Sequence, residues 1–482
     1  MAKQRIGMKR RIIFGIVVMG WMGLSLAGVP AFAQEEESKP KPAAKVYSPP
    51  IDAGDQENQQ PSNTLRPDPR PLTGVQTPTL GTPELRHSYW VPGIQYGNTI
   101  QNQALNLTGA SDWYSNNYVA GNLSLLEAWS HSQLSLNYTG GGVFSTNSTI
   151  GNGYFHELGA TQEFTWSRWQ LQFLDEFSYL PESQFGFGGV ANLQNPGISG
   201  SLGPPSPGLQ SNYVPSQSIF TSVGSRYSNA GAVQIVYAVS SRGSITLSGS
   251  YGLLRFAEAG SIDTDDEIGS IGYNYAVTKH DTIGLVYRFS GFHYSGSPQA
   301  IGDHAFNVAY GRKITARLAL QLYGGPDVTN FRVPIGGETN RISGGGGGSL
   351  KYGLKRGGIT LSYDHSVSGG SGVFLGSSSD LLQTSLDHQI GRVWSGNMQF
   401  GFARNQSLIN AGAVGSQDYS AWFAGAGLSR SLGHNASFTF GYTARFQTTN
   451  LPVCAAGTCD TNYLQHLVSL NFQWHTRPLV LR

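Results

Sequence analysis

The amino-acid sequence predicts an all-β fold, a transmembrane antiparallel up-and-down β-barrel of about eighteen strands, with sixteen as the alternative count. Three observations lead to this prediction. Apolar residues recur at every second position, short polar turns alternate with long loops, and aromatic residues recur beside the short turns. The barrel is predicted to follow a cleaved signal peptide and a disordered Pro-rich tether.

The alternation of apolar and polar residues is clear near the C-terminus. In residues 437–446, Phe438, Phe440 and Tyr442 fall on one face, and the residues between them are small or polar. A helix repeats its apolar stripe every three to four residues, whereas successive strand residues point to opposite faces. Segments with this pattern are therefore predicted to be strands that have one apolar and one polar face.

The connections between these segments follow a second pattern. Short polar turns near residues 241–243, 278–281, 312–315, 355–357, 391–393 and 432–434 alternate with looser connections such as 257–266, 369–379 and 448–461. Transmembrane barrels have short periplasmic turns and longer extracellular loops. The pattern therefore predicts which ends of the strands face the periplasm.

Aromatic residues near the short turns form the third pattern. Amphipathic rings favour the level of the lipid headgroups, where barrels carry aromatic girdles. The residues predicted for a periplasmic girdle are Trp129, Trp169, Tyr237, Tyr275, Tyr310, Tyr352, Trp394 and Trp474.

Seventeen strands are clear from residue 118 onward, and residues 94–107 are the candidate for one more. An even number is typical of bacterial single-chain barrels, which favours eighteen over sixteen. Residues 181–216 are rich in Gly and Pro, and one interpretation is a loop that folds into the lumen.

The chain is predicted to have three parts. Residues 1–33 have the positive, apolar and small-residue regions of a signal peptide that is cleaved after Ala33. Residues 34–92 are polar and Pro-rich, so they are interpreted as a disordered periplasmic tether. Residues 93–482 are the barrel, placed in the outer membrane of a Gram-negative cell. Cys454 and Cys459 lie beyond the signal, and a disulfide between them is predicted.

The composition favours a surface that meets lipid. Only 12% of the residues are charged, against about 25% in soluble domains, while 11% are aromatic and 64 are Gly. The net charge of +2 indicates no nucleic-acid partner. No residue spacing indicates a metal or another cofactor.

These features together resemble bacterial outer-membrane β-barrels of the porin-like class, over residues 94–482. The resemblance implies insertion by the outer-membrane assembly machinery, contact with outer-membrane lipids and passive passage of solutes. The chain departs from the common pattern at its end, because residues 475–482 follow the last aromatic of the final strand, Trp474. The oligomeric state stays open.

The predicted function is a passive channel for small hydrophilic solutes. The alternative is a non-conducting structural or binding barrel whose tether contacts the cell wall or partners. Charged residues at a constriction set ion selectivity in pores, and their signs are mixed here, so no ion preference is predicted. By their parity in the strands, the pore-lining candidates are Arg288, Arg317, Asp364, Asp387 and Arg445.

An enzyme is not predicted. Asp and His are adjacent at Asp364-His365 and Asp387-His388, but neighbouring strand residues point to opposite faces. The five glycines 344–348 are interpreted as a bend or a place of close packing in the wall. Asp175 has the parity of the lipid face, so we expect either a bulge that reverses its side or a position near the rim.

Overall fold

The computed structural model describes residues 71–76, 88–102, 113–148, 151–180, 209–219, 225–257, 261–409, 417–450 and 462–480. The predicted signal peptide, most of the predicted tether, residues 181–208 and both cysteines lie outside these ranges. Within the described ranges no helix is long and apolar enough to cross a membrane.

Eighteen long strands of 12 to 18 residues form the wall. They are β1 Tyr89–Asn102, β2 Trp113–Ala128, β3 Ser132–Ser145, β4 Gly153–Thr165, β5 Trp169–Leu180, β6 Arg226–Ala238, β7 Gly243–Phe256, β8 Thr264–Ala276, β9 Asp281–Tyr294, β10 Ala300–Thr315, β11 Leu318–Ile335, β12 Glu338–Leu354, β13 Gly357–Ser368, β14 Ser377–Gln389, β15 Trp394–Ser407, β16 Asp418–Ser431, β17 Ala436–Thr449 and β18 Asn462–His475. A short strand, β19 Leu479–Val480, follows them.

The strands close into a single ring. Each pairs antiparallel with its neighbours in sequence, and β1 pairs with both β2 and β18. The register between β1 and β18 runs from Gly93 opposite His475 to Gln101 opposite Leu467. Closure matters in lipid because an open edge would leave backbone groups unpaired. The predicted count of eighteen is confirmed, and sixteen is excluded.

Each strand separates an outward apolar face from an inward polar face. In β8, Ile271 and Tyr273 are 52% and 42% exposed, whereas their neighbours Ser270 and Asn274 are buried. Residues inside the barrel contact the buried face. The Asn274 side chain, for example, donates a hydrogen bond to Thr73, which lies in the lumen. The exposed apolar face therefore points outward, toward lipid.

The first strand begins at Tyr89, four residues before the predicted start of the barrel. Alternation is weak there because Tyr89 and Val91, although inward, are apolar and pack with Leu126 of β2. A strand that is apolar on both faces has no period-two signal. The predicted tether is therefore too long at this end.

The C-terminal tail also belongs to the wall. After β18 the chain pairs Leu479 and Val480 with Trp90 and Tyr89 of β1. The residues beyond Trp474, which depart from the common porin-like pattern, thus extend the sheet at the start of β1.

Strand β6 is shorter than the sequence predicted. We expected a strand over residues 219–239, but β6 begins at Arg226. Ile219 is only 1% exposed, and it ends a segment that runs inside the barrel. A buried apolar residue of the lumen looks the same in sequence as one of a strand, which explains the error.

The eight aromatic residues of the predicted girdle lie within five residues of strand ends on the short-turn side. The rings of Trp169 and Tyr237 approach to 4.4 Å between centroids, and the guanidinium of Arg430 lies 5.3 Å from the centre of the Trp394 ring. Their position at the headgroup level stays a prediction.

A second outward belt lies nearer the long loops. In six hairpins a tyrosine of the strand that leaves the short-turn side hydrogen-bonds a polar side chain on the next strand. That partner stands two residues from the residue directly opposite. Tyr287, for example, lies opposite Phe306 and bonds His304 at 2.8 Å. We call these pairs tyrosine rungs: Tyr96–Asn117, Tyr138–His156, Tyr251–Asp265, Tyr287–His304, Tyr363–Asp380 and Tyr442–His466.

The six rungs lie at a similar height. Each tyrosine stands six to eight residues after the first residue of its strand, as in β3 from residue 132 to 138 and in β7 from 243 to 251. With a rise of about 3.3 Å per residue and a tilt of about 40°, the rungs lie roughly 15 to 20 Å above the short-turn end. The apolar band of such barrels is about 25 Å tall. Exposed apolar residues such as Ile100, Phe144 and Phe446 lie beyond the rungs on the same strands, so the rungs lie within this band.

Asp175 does not behave as we expected. It lies in the middle of β5, opposite Gly231 of β6, and neither pairing of β5 contains a register shift. It therefore faces outward with no bulge, away from the rim. Its carboxylate accepts a hydrogen bond of 2.8 Å from the Nδ2 of Asn229, which also faces outward. A partner on the same face thus compensates for the polar group.

Candidate functional site: the barrel lumen

The lumen is lined by polar side chains that the alternation of the strands places inward. They come from strands all around the ring, and many are buried against other inward groups. The most buried among them include Gln95, Thr99, Asn116, Gln172, Gln234, Thr246, Asn274, Asn405 and Ser469. A surface of amides and hydroxyls suits water or hydrophilic solutes rather than lipid.

Charged residues gather on the inner wall between β9 and β13. Arg288 lies opposite Ala305, and Ala305 lies opposite Asp327 on the far side of β10. The charge of Arg288 interacts with the carboxylates of Asp303, Asp327 and Asp364. No ion pair within 4.0 Å joins Arg288 to an acidic residue in the described ranges. The Arg288 guanidinium therefore lies among these three carboxylates without forming an ion pair with any of them.

Hydrogen bonds hold the acidic groups of this wall. The hydroxyl of Thr329 donates to Asp303 at 2.9 Å. Asp364 accepts bonds from the hydroxyl of Tyr323 and, at 2.7 Å, from Ser366. We call Asp303, Asp327 and Asp364 the acidic wall.

The glycine run makes room for the acidic wall. Gly345 and Gly347 of β12 face inward, and a Cβ atom on either would collide with a side chain of β11. At Gly345 the collision is with the carboxylate of Asp327, and at Gly347 it is with the Tyr323 ring and the backbone of β13. The side chains of β11 therefore lie across β12. This is the close packing that the sequence suggested.

Four of the five predicted pore-lining residues face the lumen. Arg288, Asp364, Asp387 and Arg445 face inward, but Arg317 lies just before β11 in a short exposed turn. Parity is therefore a poor guide at a strand end, where the alternation stops. Arg445 approaches Arg226 closely enough for the two charges to repel. Asp387 lies two residues from the short-turn end of β14, away from the acidic wall.

A segment of the predicted tether lies inside the barrel. Residues 71–76, which we call the strap, bind inward side chains of β6, β8 and β11. Val75 and Gln76 of the strap are 0% and 2% exposed. Sequence analysis missed this site. Its one distinguishing signal is the pair of apolar residues Leu72 and Val75 within a polar, Pro-rich region.

Residues 209–219, the inner loop, also run through the lumen. Near their start Tyr213 shares a hydrogen bond of 3.0 Å with Ser270 of β8. Near their end Ser218 donates to Asn405 of β15 at 2.9 Å. Since β8 and β15 are far apart in the ring, the inner loop spans the interior. The described part of the predicted inward loop, residues 209–216, thus lies where that interpretation put it.

The connection between β13 and β14 bends inward to meet the inner loop. The amide of Ser218 donates to the hydroxyl of Ser371 at 3.2 Å. The carbonyl of Gly372 accepts a bond of 2.8 Å from Ile262, in the connection before β8. Ser371 has a φ of 54° and Gly372 one of 79°, so a tight turn places these groups over the lumen.

The adjacent Asp and His residues do not form one site. Asp364 faces the lumen, whereas His365 faces outward and its Nδ1 lies 2.7 Å from Asp380. No group of three or more potential metal ligands occurs within the described ranges.

No protein-family model matches the chain, and no curated protein matches it in sequence. Among solved structures, Pseudomonas aeruginosa OccK2 (OpdF) is similar at 9% identity and a TM-score of 0.42, over 80% of this chain and 98% of that one. Acinetobacter baumannii OccAB4 is similar at 9% identity and a TM-score of 0.42, over 82% and 100%. Pseudomonas aeruginosa OpdL is similar at 12% identity and a TM-score of 0.39, over 80% and 99%. These likenesses concern the barrel fold alone.

Proposed function

We propose that this protein is a passive outer-membrane channel for small hydrophilic solutes. The observation that carries the proposal is the closed eighteen-strand wall with an apolar outer face and a polar, charged inner face. Barrels of 16 to 18 strands enclose an aqueous channel. Here the inner loop and the 369–376 connection enter that space, so the path for solutes is narrower than the wall itself.

The charges that line this path have both signs. The acidic wall lies on β10, β11 and β13, while Arg226 and Arg445 stand on β6 and β17. Charges at a constriction control which ions pass. Apart from Arg288, which lies among the acidic residues, the two signs stand on different parts of the wall, and this favours small zwitterionic or charged solutes that can contact both.

Conductance in planar lipid bilayers tests the proposal. The purified, folded protein is expected to give discrete current steps in KCl. Replacing Asp303, Asp327 and Asp364 with Asn is expected to shift the permeability ratio toward anions, and Arg445→Gln toward cations, each on the order of twofold. Asp175→Asn, on the outer face, is the matched charge control and should leave the ratio unchanged.

Two results would count against a channel. Folded, inserted protein that carries no current would favour the alternative, a non-conducting structural or binding barrel. If neither set of inward substitutions changes the ion selectivity of the current, ions pass by a route other than this lumen.

A further inference from the structure

A trough of three glycines receives the strap. Gly272, Gly284 and Gly311 stand on the neighbouring strands β8, β9 and β10, and all three face inward. A Cβ on Gly272 would lie 2.5 to 2.8 Å from three atoms of the Thr73 side chain. A Cβ on Gly284 would lie 3.0 Å from Thr73, and one on Gly311 would lie 2.7 Å from Leu72. The wall thus lacks side chains where the strap needs space.

The polar groups of the strap have partners on the wall. The Thr73 amide donates to the Oδ1 of Asn274 at 3.2 Å, and the Nδ2 of Asn274 donates to the Thr73 hydroxyl at 2.8 Å. The Val75 amide donates to the Oε1 of Gln234 at 2.7 Å. Buried backbone groups of a segment outside any sheet require such partners. Asn274 and Gln234 therefore hold a specific backbone conformation.

The inner loop covers the strap from the other side. The backbone amide of Gln210 donates a hydrogen bond of 2.8 Å to the Val75 carbonyl. The Gln210 side chain donates to the carbonyls of Gly74 and Gln76 at 3.0 Å. Gln76 and Leu209 form an isolated antiparallel bridge. The strap and the inner loop thus form one unit inside the barrel.

An apolar cluster anchors that unit. Val75 packs with Leu209, Tyr213 and Val214 of the inner loop, and with the wall residues Leu174, Ala230, Ala232 and Ile268. Inward positions of a water-filled barrel are normally polar. Apolar wall residues at this place therefore indicate that the chain covers them when it is folded.

From these contacts we infer that the strap is a size-determining element of the channel, docked in the glycine trough on the inner wall. This inference rests on the proposed channel function. The strap narrows the path between the short-turn end and the inner loop, because it occupies space inside the barrel there. Side-chain contacts and one isolated bridge hold it, so its departure leaves the pairing of the wall strands intact.

A disulfide tests whether the strap docks. Leu72→Cys with Gly311→Cys places two thiols at positions where a Cβ on Gly311 would lie 3.5 Å from the Leu72 Cγ, which is close enough for a bond. Cys454 and Cys459 are replaced with Ser in this protein. Oxidation is expected to cross-link the pair in membranes, as measured by mass spectrometry of the digested protein. Leu72→Cys with Gly269→Cys, which faces outward on β8, is the control and should not cross-link.

Conductance tests what the docked strap does. Gly272→Val places a side chain in the space of Thr73 and is expected to displace the strap. The single-channel conductance should then rise, on the order of twofold, because current increases with the open cross-section. Gly269→Val is the matched control, since a Cβ there has no atom within 4 Å, and it should conduct like the unmodified protein.

The outcomes separate the two proposals. A cross-link that forms, together with a larger current in Gly272→Val alone, supports the strap as a determinant of channel size. A silent unmodified protein beside a conducting Gly272→Val protein would overturn the channel function of the unmodified protein and support the strap as the element that closes the lumen. Equal currents in all conducting variants overturn the role of the strap but leave the channel standing. Absence of the cross-link overturns docking, and silence in every variant overturns the channel function itself.

Discussion

At the scale of the residue, the two faces of the wall impose opposite requirements. Outward positions meet hydrocarbon, where an unpaired polar group is costly. Asp175 of β5 and Asn229 of β6 meet this requirement by forming a hydrogen bond with each other. Gly231, opposite Asp175, leaves space beside the carboxylate, since a Cβ there would lie 3.7 Å from its Oδ1.

The Asp175–Asn229 pair gives the first prediction. Replacing both residues with Leu is expected to raise the free energy of unfolding by about 1–3 kcal/mol, because apolar groups are favoured on the lipid face. Asp175→Leu alone should gain less, since the Asn229 amide then loses its acceptor. Urea unfolding from lipid vesicles measures both changes. A double variant less stable than the unmodified protein would show that the pair stabilises the barrel.

Inward positions are limited by space. Gly344→Ala and Gly345→Ala are neighbouring substitutions that differ in this respect. The nearest atom to a Cβ on Gly344 is 3.9 Å away, whereas a Cβ on Gly345 would collide with Asp327. Gly345→Ala is expected to lower the free energy of unfolding by about 1–3 kcal/mol, and Gly344→Ala to change it by less than about 1 kcal/mol. The same unfolding assay compares them, and equal effects would contradict this account of the glycine run.

At the scale of the element, the hairpin is the repeating unit. Six hairpins share the diagonal bond of the tyrosine rung, although the partner is His, Asp or Asn. The common geometry follows from the pleat, because residues two apart on one strand share a face. The phenol therefore reaches a polar side chain on the outward face of the next strand.

Removing one rung hydroxyl tests this bond. Tyr287→Phe is expected to lower the free energy of unfolding by about 0.5–1.5 kcal/mol, because His304 loses its partner. Tyr227→Phe is the control: that tyrosine also faces outward, and its hydroxyl makes no hydrogen bond within the described part of the chain. Equal losses in the two variants would indicate that the hydroxyl acts through the lipid and not through His304.

At the scale of the whole molecule, the height of the outward apolar band must match the thickness of the bilayer. On β18 the outward apolar residues run from Leu464 to Trp474, which spans roughly 25 Å along the barrel axis and is less than the hydrocarbon core of an average bilayer, about 30 Å. The barrel is therefore expected to be most stable in thin bilayers, since mismatch has an energetic cost for each ångström. Unfolding in vesicles of increasing acyl-chain length measures this. Stability that rises toward the thickest bilayers would show that the band is taller than the span from Leu464 to Trp474.

The eighteen strands could be predicted from sequence because their signals are local. Period-two alternation, short turns and aromatic positions are each contained in a few residues, as in β17 and β18. The prediction failed where a local signal had two causes. Apolar inward residues blurred β1, and Ile219 of the inner loop was taken for part of a strand. Arg317 was assigned to the lumen by a parity that ends with the strand.

The sequence by itself determined which residues face lipid and which face the lumen, because the pleat alternates faces whatever surrounds the strand. Only the tertiary structure decided which inward residues meet. Thr73 and Asn274 are 201 residues apart in the sequence and form a hydrogen bond. The glycines that make room for the strap stand on three different strands. Such contacts exist only after the ring closes and leaves a limited volume inside. The fold could therefore be predicted from the sequence, whereas the segments that enter the lumen and their contacts could not.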